Sequence, residues 1–131
     1  MGFKIPEFIP PGVNVNLHMK LAYDQWNKDP LKWQFMSWFY YRVRNRGVWD
    51  YKQEDSAWEN YGNFHYGAVG AAGQLPEGIL LRAAGYAQKR AGSQSVVEDW
   101  GKWYMDPPYG DDPTDQEWIK EGIEYAKAMG Y

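Results

Sequence analysis

Between Glu59 and Gly73 the chain strings together an acid, amides, phenols and an imidazole, and then a row of small residues: Glu59-Asn60-Tyr61-Gly62-Asn63-Phe64-His65-Tyr66-Gly67-Ala68-Val69-Gly70-Ala71-Ala72-Gly73. A carboxyl and an imidazole together can move protons in both directions, and Asn63 and Tyr66 could orient a substrate beside them. Gly67, Gly70 and Gly73 recur at every third position. Glycine inside a helix costs ~1 kcal/mol relative to alanine, so its repetition implies that something packs close against the backbone. The series lacks the preceding strand and the Lys-Ser/Thr of a phosphate loop, which leaves helix packing as its explanation. The polar head of the segment is then held rigidly on that contact.

Other candidates surround this segment. Trp49-Asp50-Tyr51-Lys52 sets a carboxylate and an ammonium two residues apart, on one face if the segment is extended. Asp50 is a candidate catalytic carboxylate there, supported by Lys52 and walled by Trp49 and Tyr51. The plainer reading is a turn aspartate bonding its own backbone. Glu59, beside Trp58, Tyr61 and Phe64, could be desolvated and its pKa raised toward that of a general acid, or be an exposed acid favoured by a helix dipole. His65, placed in the first turn of a helix, would stay neutral, donating from one nitrogen and accepting at the other. Its alternative is a buried imidazole bonded to a backbone carbonyl. His18 has no motif around it. Asp50, Glu59 and His65 are expected to converge on one aromatic-lined cleft.

Asp111, Asp112 and Asp115 gather before a helix, where carboxylates cap the free N–H groups; Asp112 is also a candidate second carboxylate. Their spacing lacks the glycine and distal glutamate of a calcium loop, and no His-x-x-x-His or cysteine pair is present for zinc. No metal or cofactor is expected.

At 131 residues the chain is one domain, able to bury roughly two-thirds of its unfolded surface. Eight Trp and eleven Tyr exceed what such a core requires, so some rings should line a groove, where flat amphipathic ligands such as sugars or nucleobases suit them. The net charge of −3 disfavours a polyanionic partner, whose binding depends on Lys and Arg. Arg42, Arg44, Arg46 and Lys52 form a local basic group, read as a solvated helix end or as a ligand-facing patch. The absence of cysteine removes disulfides and thiolate chemistry. No apolar run approaches the ~20 residues of a membrane span, so no membrane insertion is expected. Residues 1–13 read as an extended lead-in stiffened by Pro6, Pro10 and Pro11 and not as a signal peptide, with the catalytic domain at 14–131.

The positioning elements read as helices. One starts at Asn14 or Asn16 and runs to about Asn27. Asp29-Pro30 begins a second, Leu31 to about Asn45, whose wide apolar face (Leu31, Phe35, Trp38 and Phe39, with Met36, Tyr40 and Val43 alongside) marks it as central. A small-residue helix spans about Gly62 to Ala72. Pro76 opens another with Ile79, Leu80, Ala83, Ala84 and Ala87 on one stripe. Val96–Trp103 is a short candidate, and Pro107-Pro108-Tyr109-Gly110 a rigid turn. The last helix starts at a capping box, Thr114-Asp115-Gln116-Glu117, with Trp118, Ile119, Ile123 and Ala126 as its buried stripe. The fold class is mainly α: a single compact domain of five to six helices with functional loops between them.

Four ordered blocks, Arg44-Asn45-Arg46-Gly47-Val48-Trp49-Asp50-Tyr51-Lys52-Gln53, Gly62-Asn63-Phe64-His65-Tyr66-Gly67-Ala68, Leu80-Leu81-Arg82-Ala83-Ala84-Gly85-Tyr86-Ala87-Gln88 and Pro107-Pro108-Tyr109-Gly110-Asp111-Asp112-Pro113-Thr114-Asp115-Gln116, resemble the successive signatures of the polymorphic toxin type 44 family. The resemblance covers roughly residues 11–128. It implies a mainly helical toxin domain, usually the C-terminal warhead of a larger exported protein and matched by a cognate immunity protein. The family carries a ribonuclease label, and similar domains also occur beside cell-wall-binding modules. The blocks add Tyr109 and Asp115 to Trp49, Tyr51, Lys52, Asn63 and Tyr66 as substrate-binding candidates. The catalytic candidates are Asp50, Glu59, His65 and Asp112. The expected function is an antibacterial hydrolase, secreted or delivered to the target periplasm, that cuts the peptidoglycan glycan strand with paired carboxylates. A metal-independent ribonuclease built on His65 and a carboxylate, with RNA as its partner, is the alternative. A non-catalytic wall-binding module is the third reading.

Overall fold

Asn14 opens the first helix: its side-chain oxygen accepts the Leu17 N–H at 3.1 Å, satisfying one of the donors that a helix start leaves free. The computed structural model describes residues 4–44, 47–51, 56–90 and 101–131. Its helices are α1 (Val15–Lys28), α2 (Trp33–Val43), α3 (Glu59–Ala72), α4 (Glu77–Arg90) and α5 (Pro113–Ala128), with a 3-10 turn at Ser56–Trp58 leading into α3. No strand occurs among the described residues. The mainly helical single domain read from the sequence is the fold observed.

The centre of the molecule is α3. Tyr61, Phe64, His65, Ala68, Val69 and Ala72 are all buried along it, and it packs along α5 and across α1. Glycine makes the α3–α5 contact possible. A methyl group at Gly67 would overlap the Ile119 carbonyl, and one at Gly122 would overlap the Phe64 carbonyl. The two backbones therefore touch from both sides. Gly70 seats the Leu80 side chain and Gly73 the Phe35 ring, so the whole small-residue series serves close packing. A further approach, between Gly85 of α4 and the Tyr109 carbonyl, clamps the 107–112 turn onto α4.

Several expectations are corrected. The central helix is α3, not α2: Phe35 and Phe39 are buried in α2, but Leu31 is 75 % exposed and Met36 and Tyr40 are exposed too. Pro30 does not open α2, which begins at Trp33 after a left-handed Lys32. Asp29 instead accepts the N–H groups of Leu31 at 3.2 Å and Phe35 at 2.9 Å. On α4 the buried pair is Leu80 and Leu81, with Ile79 exposed and Ala83 and Ala87 exposed. The small-residue helix starts at Glu59 and not at Gly62. The cap of α5 is Asp112, which accepts the Thr114 N–H at 2.8 Å with Pro113 in the first turn, so Thr114 is inside the helix. Ile119, Ile123 and Ala126 are buried as expected. Residues 101–103 are not helical, and the rest of the helix expected at Val96–Trp103 lies outside the described residues.

The glycine contact gives a graded expectation. Gly67→Ala gains helix propensity but drives a methyl into backbone that cannot rotate away, so it should cost about 3 kcal/mol. Gly70→Ala meets only the flexible end of Leu80 and should cost clearly less. Chemical denaturation of both variants checks the order; equal midpoints would contradict the backbone contact.

Candidate active site

The backbone contact between α3 and α5 brings their first turns together. Glu59 stands in the first turn of α3 and Asp115 in the first turn of α5, and their side chains are hydrogen-bonded. Asp115 is only 6 % exposed. Burial, the hydrogen bond to Glu59 and the negative charges of Glu59, Asp111 and Asp112 together push its pKa up to about 8. Two carboxyls this close cannot both ionise cheaply, so they share a proton. At neutral pH the pair holds one acid, on Asp115, next to a second carboxyl.

The surroundings fix this pair in place. Asp111 is buried and accepts the Asp112 N–H at 2.9 Å and the Gln116 Nε2 at 2.8 Å. Gln116 Nε2 also donates to the Leu81 carbonyl at 3.2 Å, tying α5 to α4, while its Oε1 is buried without a partner among the described residues. On α3, Asn63 and Tyr66 follow Glu59 at four and seven positions and so lie on the same stripe. Asn63 Nδ2 donates to the Glu59 carbonyl at 3.2 Å. The Tyr66 hydroxyl donates to the Leu80 carbonyl at 2.8 Å, and burial together with the Asp111 charge raises its pKa. Arg82 lies 4.7 Å over the Tyr109 ring. A cleft of about 470 Å³ is lined by Lys4, Glu7, Phe8, Ala57, Asn60 and Trp118, and by neither member of the carboxyl pair. Asn60 adjoins Glu59, and Trp118 lies one helical turn beyond Asp115.

His65 faces elsewhere. Six positions after Glu59, it points about a third of a turn away around α3. It is fully buried, and its Nε2 meets His18 Nδ1 at 2.8 Å. Trp49 and Tyr51 pack edge-on to its ring with centroids 5.1 Å away. Burial above all, with the neighbouring His18, holds the His65 pKa well below its ordinary value. The imidazole is neutral as expected, but the cause is burial, since it lies two turns into α3 and not at the helix start. Trp49 and Tyr51, expected to wall an opening, are both buried. Asp50 sits between them, buried, with its N–H on the Gly47 carbonyl at 3.0 Å. Lys52 lies outside the described residues.

The structure thus joins Glu59, Asn63, Tyr66, Asp112 and Asp115 around one junction and groups His65 with Trp49 and Tyr51 around another. Asp112 is the α5 cap, Tyr109 belongs to the turn against α4, and Asp115 is the group with the raised pKa. Among the described residues no three His, Asp or Glu side chains are arranged to hold a metal ion. No helix among them is long and apolar enough to cross a membrane.

The bacterial toxin 44 family model matches residues 25–128. The chain belongs to that family. No curated protein and no solved structure matches the chain. Within the toxin 44 match lie all four members of the acid cluster, whereas His18 precedes it. From the sequence alone Asp115 stands as a substrate-binding candidate below Glu59 and Asp112, although an acid one turn into a helix beside two further aspartates carries the signal of mutual repulsion. Nothing local marks His18, because its partner is 47 residues away.

The raised Asp115 pKa fixes how stability varies with pH. The unfolded chain releases this proton near pH ~4, whereas the folded protein keeps it to about 8. Across that interval the folded state binds more protons, so this group's contribution to stability falls as pH rises. Asp115→Asn removes the effect and keeps a donor for Glu59. The variant's melting temperature relative to the wild type should therefore be higher at pH 8.5 than at pH 4.5, as thermal melts at the two pH values would show.

Proposed function

We propose that this toxin 44 chain is an antibacterial hydrolase, delivered to target cells, that cleaves the glycan strand of peptidoglycan. Asp115 is the proton donor to the glycosidic oxygen, and Glu59 is the carboxylate that works beside it. The observation that carries this reading is the hydrogen-bonded Glu59–Asp115 pair, which keeps a carboxylic acid protonated at neutral pH. Glycoside hydrolysis needs that acid together with a second, ionised carboxyl. The cleft supplies Phe8 and Trp118 as faces for sugar rings.

A retaining pair of carboxyls stands ~5–5.5 Å apart, wider than a hydrogen-bonded pair, so entry of the glycosidic oxygen parts the two side chains. Glu59, longer and less buried than Asp115, is the one that swings. Asp115 then gives its proton to the leaving oxygen as the C–O bond breaks, while the Glu59 carboxylate bonds to the sugar carbon; water, giving its proton to Asp115, then cleaves that ester and frees Glu59. The ribonuclease alternative fits the geometry less well: His65 is fully buried, so its ring offers no atom to a phosphate, and the acid cluster repels a polyanion. A wall-binding module has no use for buried like charges, which oppose folding. In this reading a cognate immunity protein protects the producing cell.

Purified protein should clear peptidoglycan suspensions and release reducing ends. Asp115→Asn and Glu59→Gln should each lower turnover at least ~10²-fold, the scale of a lost acid or base, with folding retained. The rate should fall as pH rises through about 8, where Asp115 gives up its proton. Full activity in Asp115→Asn, or cleavage of RNA with peptidoglycan left intact, would overturn the proposal.

A further inference from the structure

The second junction, around His18, has the makings of a binding site that the carboxyl pair does not use. His65 is fully buried, and its Nδ1 has no hydrogen-bond partner among the described residues. A neutral imidazole carries one proton, on one nitrogen or the other. A proton on Nδ1 would leave a buried N–H donor without an acceptor, a desolvation cost of roughly 1–3 kcal/mol. A proton on Nε2 is used at once, in the 2.8 Å hydrogen bond to His18 Nδ1, and leaves only a bare acceptor at Nδ1. Orphaned donors are the rarer of the two in folded proteins. His65 therefore donates and His18 Nδ1 accepts. A neutral His18 must then carry its own proton on Nε2.

His18 is partly exposed, and its Nε2 makes no hydrogen bond among the described residues. The chain thus presents an N–H donor in a fixed tautomer. Trp49 stacks on the His18 ring, with centroids 4.6 Å apart, which fixes the ring plane as well. Arg42 is pinned against the same Trp49 ring: its guanidinium lies 4.4 Å over Trp38 and 5.8 Å from the Trp49 centroid, and its Nη1 donates to the Trp38 carbonyl at 3.3 Å. The Arg42 charge acts on His18, lowering its pKa in addition to the effect of burial.

We propose that His18 Nε2–H and the Arg42 guanidinium, braced by Trp49 and Trp38, form a second site that binds a small oxyanion, a carboxylate or phosphate group. A directed neutral donor next to a delocalised cation suits an oxyanion, because charge-assisted hydrogen bonds to oxygen are the strong ones and a stacked guanidinium loses little entropy on binding. A cation would be repelled by Arg42. The site is separate from the Glu59–Asp115 pair, and its existence does not depend on what that pair cleaves.

With only two histidines in the chain, imidazole ¹⁵N NMR at neutral pH resolves both rings. Both should carry the proton on Nε2. Sodium phosphate or sodium acetate, exchanged for chloride at constant ionic strength, should shift the His18 nitrogens along a saturable curve. Saturation by acetate alone assigns a carboxylate site, by phosphate alone a phosphate site, and by both a general oxyanion site. Arg42→Gln, which keeps a polar amide on a shorter side chain and removes the charge, should weaken binding at least about tenfold; Asp115→Asn should leave it unchanged. A His18 proton on Nδ1, no saturable shift with either anion, or equal binding by Arg42→Gln would overturn the proposal.

Discussion

The rest of the structure depends on one contact: backbone against backbone between α3 and α5, at Gly67 and Gly122. Side chains of any size there would hold the helices apart at the usual 8–10 Å between axes. With glycine on both sides the helices close up, and the residues in their first turns come within hydrogen-bonding reach. The meeting of Glu59 and Asp115 follows from this approach. A segment that looks like plain packing material thus sets the electrostatics of the acid cluster several residues away.

What the contact brings together opposes folding by itself. Burial and the nearby charges of Glu59, Asp111 and Asp112 raise the affinity of Asp115 for its proton. The cluster is tolerable because its members are bonded: Asp111 to Gln116 and to backbone, Asp112 to the start of α5, and Asp115 to Glu59. The helix starts help as well, since their unpaired N–H groups favour negative charge. A perturbed acid held on rigid elements is an arrangement that acid–base chemistry calls for. The histidine junction follows the opposite logic, a neutral pair enclosed by aromatic rings.

Much of the fold was legible in the sequence because local chemistry decided it. Asn14 caps α1 as its side chain dictates, the apolar spacing in α5 buries Ile119, Ile123 and Ala126, and the glycine series means close packing. What failed depended on partners distant along the chain. The apolar face of α2 looked central, yet its buried members are Phe35 and Phe39: Gly73 admits the Phe35 ring, Trp38 is half-buried and Leu31 is exposed. The site was legible as a set of residue types but not as a grouping. Glu59 and His65 are close in sequence, and helical rotation sends them to different neighbours. Asp115 and His18 owe their environments to residues 56 and 47 positions away, beyond the reach of any local pattern.

Held between α3 and α5, Asp115 is a carboxylic acid at neutral pH. A ¹³C NMR titration of its side-chain carboxyl in the folded protein reads this state. The wild-type midpoint should lie near 8. In Glu59→Gln the midpoint should move down yet stay above the ordinary carboxyl range, because burial, the largest cause, remains. A wild-type midpoint near ~4, the value of a free aspartate, would contradict this protonated state.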